Sequence, residues 1–397
     1  MTVLWLILFF IIIPIAFGLI VRMTRIAGGY AIGGMLAGLI IGPSIIGTAF
    51  PDWYADTFDG AIAYRDSINK LDARHRADRR ALIAATADLA QLVELEDQQR
   101  AERAPYVQAV ENATWNHHRP HRMMMALFVT LTLLCAGCVR LRDPDANVDS
   151  AASIAIGLWS SLGPASLAFL MLRGVTDLGL FPAVMSSAAI AIGPWAMTAI
   201  DRKAANDAEI GGAQTMQRAG SVASVLALVA IGFALSMSEA REPWWALVLL
   251  AHPISWFIPA IINEERRERF LRLVQIVLLP PLTALAMTTV ELQSQFAFLT
   301  WLVLVVLSGD GRWIGAVFGA VTLGSRGALR TMRLTLGAMS CGPTQLAVTA
   351  VGVHLGLIPG TAAVALVLGA VMLEVLAPTR RNIARELEEI EEEGIGE

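Results

Sequence analysis

The chain has 397 residues, of which 55% are hydrophobic and 16% are charged, and its mean hydropathy is +0.59. A soluble globular chain needs more polar surface than this composition supplies, so the composition excludes a soluble fold and indicates a membrane protein with several spans. The formal net charge is only -4 and the basic residues are spread over short loops, which argues against a nucleic-acid partner.

Eleven apolar segments of the sequence are candidates for crossing a lipid bilayer, because a span needs about 20 mostly apolar residues. In chain order they are Val3 to Val21, Gly28 to Phe50, Met123 to Val139, Ala151 to Leu172, Leu178 to Ile200, Gly220 to Ser238, Trp244 to Ile262, Leu271 to Val290, Phe296 to Leu323, Leu334 to Gly356 and Thr361 to Ala377. The expected fold is therefore an all-α, polytopic membrane protein of about eleven transmembrane helices.

The loops between these segments follow the positive-inside rule if the N-terminus lies outside. All six inside positions are then basic: Arg22 and Arg25; Arg140 and Arg142; Arg202 and Lys203; Arg266, Arg267 and Arg269; Arg326, Arg330 and Arg333; Arg380, Arg381 and Arg385. The alternation of inside and outside loops is kept only if Phe296 to Leu323 is one long tilted helix. We expect a protein of the bacterial inner membrane with a cytoplasmic, acidic C-terminal tail at residues 379–397.

One large polar insertion, residues 51–121, separates spans one and two (residues 1–50) from the remaining spans (residues 122–378). An imperfect heptad stripe predicts a long coiled-coil-like helix or helical hairpin that ends before Pro105; its members are Ile68, Leu71, Leu82, Ala85, Leu89 and Leu92. The same alternation of inside and outside loops places the insertion on the extracytoplasmic side, where it could bind an envelope partner. The run His117-His118-Arg119-Pro120-His121 could bind a metal or sense pH, but a solvated linker is favoured and no metal site is predicted.

Two apolar segments are interrupted by a glycine–proline pair, at Gly193-Pro194 and at Gly342-Pro343. Proline lacks the amide hydrogen and clashes with the preceding turn, so each pair should unwind its helix. Two interrupted helices in corresponding halves of a membrane chain point to a transporter's binding site; prolines that merely kink packed helices are the alternative. Polar residues near the breaks that could bind a cation or the unwound backbone are Ser186, Ser187, Ser340, Thr344 and Gln345.

The segment Gly29 to Ser44, GYAIGGMLAGLIIGPS, resembles the second helix of the monovalent cation:proton antiporters of the Kef and Nha type, whose pattern is close to G-Y-x-x-A-G-x-x-L-G-P-S. Arg330 to Ile358 and Thr361 to Pro378 are similar to the last two helices of that family. The resemblance implies an inverted-repeat fold in which two discontinuous helices cross near the membrane midplane. It also implies a homodimer that exchanges a monovalent cation for protons, and no cofactor is expected.

The sequence departs from this family at the residues that carry ions. The family supplies one or two aspartates from the helix after the first break, but Gly220 to Ser238 contains no carboxylate. In place of the family's lysine before the second break stand Asp310 and Arg312, and arginine is a poor proton carrier because it stays charged. Snorkelling of this pair to the interface is the alternative. The oxygen ligands expected for a transported cation come from Ser221, Ser224, Ser340, Thr344 and Gln345 together with carbonyls of the broken helices. Proton-coupled exchange would need Asp310 or another acid at this site.

These residues leave three hypotheses for the function. The first is a secondary transporter of the cation:proton antiporter class that works by alternating access around Pro194 and Pro343. The second is a non-transporting membrane sensor or scaffold whose insertion binds a partner, and the third is a carrier of anions or neutral solutes. No nucleotide loop, catalytic triad or convincing metal motif appears, so an enzyme is not expected.

Overall fold

A computed structural model describes residues 3–26, 28–59, 62–84, 89–117, 119–138, 150–175, 178–192, 207–237, 245–255, 257, 264–288, 290–322, 335–336 and 342–395. Within these ranges every regular element is helical and no strand occurs, as an apolar chain that must satisfy its own backbone hydrogen bonds in lipid requires.

The first third of the chain contains α1 (Val3–Ile7), α2 (Ile13–Met23), α3 (Gly29–Ile41), α4 (Ile46–Ala49), α5 (Pro51–Tyr54), α6 (Ile62–Ala84), α7 (Leu89–His117) and α8 (Arg119–Cys138). The remainder contains α9 (Ser150–Val175), α10 (Leu180–Ala191), α11 (Asp207–Met237), α12 (Trp245–Leu249), α13 (Ala251–Ser255), α14 (Glu264–Val277), α15 (Leu279–Met287), α16 (Leu292–Gln295), α17 (Phe298–Val306), α18 (Arg312–Val321), α19 (Gly342–His354), α20 (Gly360–Val375) and α21 (Ala377–Ile395). Three π-helical turns occupy Leu8–Ile12, Ala55–Asp59 and Leu307–Gly311.

Among the described residues, six helical stretches are long and apolar enough to cross a membrane, or seven if the bent pair α20 and α21 forms one span. The six are Leu4–Met23, Gly29–Ala49, Ser150–Val175, Gln214–Met237, Arg269–Met287 and Phe298–Val321. The other five predicted spans contain shorter helices or reach residues outside the described ranges. The helical membrane class is therefore shown, whereas eleven spans and an inverted repeat remain predictions.

The long helix predicted across residues 296–323 is confirmed as one stretch from Phe298 to Val321. It does not break at Gly309 or Gly311, because α17 passes into α18 through the π-turn Leu307–Gly311. A π-turn admits one extra residue and changes the face that the following side chains occupy, and such turns are frequent at functional sites.

The chain divides into two compact units, and the smaller one comprises residues 1–6 and 45–123. Its main feature is an antiparallel hairpin of α6 and α7, so the predicted helical hairpin is observed. The predicted end before Pro105 is wrong, because α7 continues through Pro105 to His117. Proline removes one backbone hydrogen bond and need not end a helix when the turns on both sides are otherwise satisfied.

Charged and polar side chains join the two hairpin helices. His75 Nε2 lies 3.0 Å from Glu102 Oε2, and Arg74 donates to the same carboxylate. On the neighbouring turn Arg79 Nε donates to Gln99 Oε1 at 2.7 Å, while Gln99 Nε2 donates to the His75 carbonyl at 3.1 Å. His75 and Gln99 are buried, so the polar contacts of this hairpin include a desolvated pair as well as surface ion pairs.

The larger unit comprises residues 7–44 and 124–397, and short apolar helices form its core. Every residue of α15 from Leu279 to Met287 is buried, and so are most residues of α10 and α20. Longer helices such as α9 and α11 instead expose several large apolar side chains. Helices that are apolar all round belong in a core, whereas outward-facing apolar residues suit contact with lipid.

Glycines let α2, α3 and α15 approach one another closely. A Cβ atom added at Gly33 would overlap backbone atoms of Gly18, and one added at Gly34 would overlap Thr283 Oγ1 and the Pro280 carbonyl. A Cβ at Gly38 would lie 2.5 Å from the Ala284 carbonyl oxygen. The small residues of the Gly29–Ser44 segment therefore serve a tight three-helix contact, which is their usual role inside membranes.

Candidate functional site

Helix α10 is the element around which the predicted site residues are arranged. It packs against α11, which carries Ser221 and Ser224, and against α19, which carries Thr344 and Gln345. It also contacts the π-turn Leu307–Gly311 that precedes Arg312. Helix α10 therefore contacts three elements that carry predicted site residues. The sequence connects these elements only through the polar or charged type of those residues.

Two adjacent serines of α10 differ in their hydrogen bonding. Ser186 and Ser187 are both buried. The Ser187 hydroxyl donates to the Ala183 carbonyl one turn earlier, whereas the Ser186 hydroxyl has no hydrogen-bond partner among the described residues. The helix ends at Ala191 and Ile192 is extended; the predicted break at Gly193-Pro194 lies outside the described residues.

The first turn of α19 holds the second group of unpaired polar atoms. Gly342 and Pro343 begin the helix, a position where proline is tolerated because its missing N–H needs no partner. Thr344 and Gln345 follow and are fully buried, yet Thr344 Oγ1, Gln345 Nε2 and Gln345 Oε1 find no hydrogen-bond partner within the described chain. One turn later Thr349 Oγ1 donates to the Gln345 carbonyl at 2.8 Å. Ser340 lies outside the described residues.

A polar stripe runs along α11 and was only partly anticipated. Ser221 donates to the Gln217 carbonyl at 3.2 Å, and Ser224 is buried. The predicted span begins at Gly220, but the helix starts at Asp207, and Gln214 and Gln217 are also buried. Positions 214, 217, 221 and 224 recur at helical spacing, which is the signal that could have revealed the whole stripe.

The two charged residues of the long helix have opposite environments. Asp310 is exposed, while Arg312 is buried with 1% of its surface accessible. Asp310 forms no hydrogen bond or ion pair within the described part of the chain, so the structure does not pair it with Arg312. A permanently charged guanidinium inside an apolar unit makes the surroundings of α18 favourable for negative charge or for oriented carbonyl oxygens.

No aspartate or glutamate is buried among the described side chains. Arg312 contributes a positive charge to the larger unit, and the first turn of α19 adds a partial positive charge through N–H groups that have no acceptor within their own helix. The unpaired hydroxyls and the Gln345 amide offer both donors and an acceptor. Such a set can bind a solute by hydrogen bonds, but it lacks a described buried acid to carry protons.

Metal binding finds no support in the described residues, which contain no group of three or more His, Cys, Asp or Glu side chains able to hold an ion. His117 Nε2 lies 2.7 Å from the Thr57 carbonyl oxygen, and His121 is buried. His118 lies outside the described residues. His117 therefore has a structural contact of its own.

Ser44 has a role that sequence analysis did not identify. Its hydroxyl donates to the Val290 carbonyl at 3.0 Å and accepts from the Leu292 amide at 3.0 Å. The Gly42-Pro43-Ser44 segment that follows α3 thus binds the connection after α15, so Ser44 has a structural function.

Comparisons with known proteins give no further guide. No protein-family model matches the chain, and no curated protein matches it.

Proposed function

We propose that this protein is a secondary transporter of the cation:proton antiporter class, with its solute site between α10 and α19. The observation that carries the proposal is that polar side-chain atoms of Ser186, Thr344 and Gln345 are fully buried and have no hydrogen-bond partner among the described residues. A buried polar group without a partner costs about 1–3 kcal/mol, so a purely structural site has no reason to retain several of them.

A solute that enters between α10 and α19 would supply the missing partners. The Ser186 and Thr344 hydroxyls and Gln345 Oε1 are oxygen atoms able to replace water around a cation. Movement of the two elements relative to each other would then expose the site to one side of the membrane and afterwards to the other. In proton-coupled exchange, Asp310 is the acid that would have to join this cycle.

The proposal includes the topology expected from the loops. Eleven spans, an N-terminus outside and a cytoplasmic C-terminus place the α6–α7 hairpin on the extracytoplasmic side, in a bacterial inner membrane. The likeness of Gly29 to Ser44 to the antiporter helix supports a dimeric, inverted-repeat arrangement.

A carrier of anions or neutral solutes is the second candidate, and two observations favour it. Arg312 is buried, and no buried acid occurs among the described side chains. An arginine keeps its positive charge when it is buried, so it attracts an anion more than a cation.

Proteoliposomes distinguish these functions. An antiporter dissipates an imposed pH gradient when Na⁺ or K⁺ is added, and Asp310→Asn weakens this response. An anion carrier leaves the pH gradient unchanged under those conditions but releases preloaded chloride. Its Asp310→Asn variant should release chloride as the wild-type protein does.

The adjacent serines provide the matched variants for this assay. Ser186→Ala should lower the transport rate, because it removes a hydroxyl that has no partner within the described part of the chain. Ser187→Ala should not, because that hydroxyl already donates to a carbonyl of its own helix. Equal activity of the two variants would remove α10 from the site. Absence of both ion movements in the wild-type protein would favour the sensor or scaffold.

A further inference from the structure

The end of α2, the start of α3 and the start of α15 lie at one end of the three-helix contact. Along α3, Gly34 and then Gly38 meet progressively later residues of α15, so these two helices run in the same direction. Gly29 at the start of α3 lies against Arg22 at the end of α2, so α2 runs in the opposite direction. Helix α14 continues into α15 within the apolar stretch Arg269–Met287, and it also contacts α2. The first turns of that stretch therefore lie beside the turn that joins α2 to α3.

The turn between α2 and α3 carries two exposed arginines. Arg22 stands in the last turn of α2, and Arg25 lies in the connection to α3. Arg22 Nη1 donates to the Ile26 carbonyl at 3.4 Å, whereas the Arg25 guanidinium forms no hydrogen bond or ion pair within the described part of the chain. The turn thus presents two positive charges to its surroundings.

Two further exposed arginines lie on the side of α14 that continues toward α2. Arg266, Arg269 and Leu273 are spaced by three and four residues, which places them on one helix face, and all three are exposed. Seven residues after Leu273 the same face reaches Pro280, whose ring lies against Gly18 of α2. The arginines of α14 and those of the turn therefore belong to one surface.

Few acidic side chains balance these four arginines. Glu265 lies on the same side of α14 and pairs with Arg269. Glu374 lies next to Gly28 at the start of α3. Helical spacing puts positions 264 and 268, the other glutamates of α14, on the opposite side of that helix. Four arginines and two glutamates leave this surface positively charged.

We propose that the basic surface formed by Arg22, Arg25, Arg266 and Arg269 binds the phosphate headgroup of an anionic phospholipid. Three stretches able to cross a membrane begin or end here, namely Leu4–Met23, Gly29–Ala49 and Arg269–Met287. The end of a membrane span is the depth at which lipid phosphates lie, and basic pockets between such helices bind anionic headgroups. The guanidinium group matches phosphate geometry through paired hydrogen bonds. The inference is independent of whether the protein transports a solute.

Apolar side chains beside the arginines favour a lipid over an acidic protein or a free anion. Met23 is 82% exposed, Leu273 is 55% exposed and Ile26 is 44% exposed. A phospholipid offers acyl chains to these side chains and a phosphate to the arginines next to them. An acidic peptide or inorganic phosphate would use the charges and leave the apolar side chains in water.

Thermal unfolding of the full-length protein in detergent tests which ligand binds. Phosphatidylglycerol should raise the unfolding temperature more than an equal amount of phosphatidylcholine, because a ligand that binds only the folded protein stabilises it. Inorganic phosphate should give no such rise. Equal effects of the two lipids would overturn the proposal, and so would a rise with inorganic phosphate as large as that with phosphatidylglycerol, which would show a site for free anions.

A double variant tests the arginines themselves. Arg25→Gln with Arg266→Gln should weaken the binding of phosphatidylglycerol by about 30-fold, since each arginine near an anionic surface contributes about fivefold. The matched control is Arg80→Gln with Arg100→Gln, which removes the same charge from exposed positions of the α6–α7 hairpin and should bind this lipid as the wild-type protein does. Equal losses in the two double variants would show an effect of net charge alone and would contradict the site.

Lipid contact in liposomes gives a second readout that leaves every arginine in place. In a protein with Cys135, Cys138 and Cys341 changed to alanine, a fluorophore on Leu273→Cys should be quenched more by spin-labelled phosphatidylglycerol than by spin-labelled phosphatidylcholine. The control is Leu170→Cys on α9, which is 63% exposed at the native leucine and should be quenched equally by both lipids. Equal quenching at position 273 would overturn the proposal.

Discussion

Hydrogen bonding at single residues separates the structural polar groups of the core from those assigned to the solute site. Thr349, Ser187 and Ser221 each donate to a carbonyl of their own helix. Thr344 and Gln345 are fully buried and have no such bond among the described residues. Residues that satisfy themselves stabilise the fold, whereas unpaired ones destabilise it until a ligand binds.

Thr344→Val is expected to raise stability and to reduce transport. Valine keeps the shape of threonine but removes a buried hydroxyl without a described partner, which should stabilise the protein by about 1–3 kcal/mol. Thermal unfolding in detergent measures the stability, and the liposome assay measures transport.

Thr349→Val is the control for this change. It removes a bonded hydroxyl of the same helix, so it should lower stability slightly and leave transport unchanged. A loss of stability in Thr344→Val would indicate a structural partner and would remove Thr344 from the site.

At the scale of elements, the contact of α2, α3 and α15 depends on the absence of side chains at its centre. Gly33→Ala should destabilise the protein by about 3 kcal/mol, because the added methyl group overlaps the Gly18 backbone, which can move only with its helix. Thermal unfolding measures the loss. Gly232→Ala is the control, since its added Cβ meets nothing within 4 Å; equal stability of the two variants would contradict the close contact.

The α6–α7 hairpin should weaken in acid. Hydrogen bonds from His75 and then Arg74 to the charged carboxylate lower the pKa of Glu102 below its ordinary value of 4.5. A lowered pKa stabilises the hairpin above the unfolded value, and this contribution is lost as the pH falls through the folded value. The protection of amides in residues 62–117 against hydrogen exchange, expressed relative to the intrinsic exchange rate at each pH, should therefore fall below about pH 4.5.

Glu102→Gln tests the origin of that acid sensitivity. The variant should exchange faster at neutral pH and change less on acidification, because the titrating carboxylate is gone. Glu94→Gln, on an exposed position of the same helix, should behave like the wild-type protein. An unchanged pH profile in Glu102→Gln would assign the sensitivity to other groups.

At the scale of the whole molecule, the two compact units allow transport and partner binding to be separated. Replacing residues 62–117 by a short Gly/Ser linker removes the hairpin from the smaller unit and leaves residues 7–44 and 124–397 unaltered. If the larger unit carries the solute site, the variant should keep the wild-type transport rate in liposomes. A sensor or scaffold would lose its function in cells with this deletion, and loss of transport in a folded variant would contradict the assignment to the larger unit.

The sequence alone determined the helical membrane class and the continuity of the long helix at 298–321. Hydropathy over a whole span and the alternation of basic loops are local or additive properties, so they can be read without knowing which helices touch. The same local reasoning predicted a helix end before Pro105, but the neighbouring turns maintain α7 through the proline. It also predicted too late a start for α11, and so missed that four polar residues of this helix lie on one face.

Tertiary structure alone decided which polar residues are satisfied and which elements meet at α10. Asp310 and Arg312 stand two residues apart, yet one is exposed and the other buried. Ser186 and Ser187 are neighbours, yet only Ser187 bonds its own helix. Burial and hydrogen bonding depend on contacts between residues far apart in the chain. The type of a residue does not indicate whether its face of the helix packs against another element.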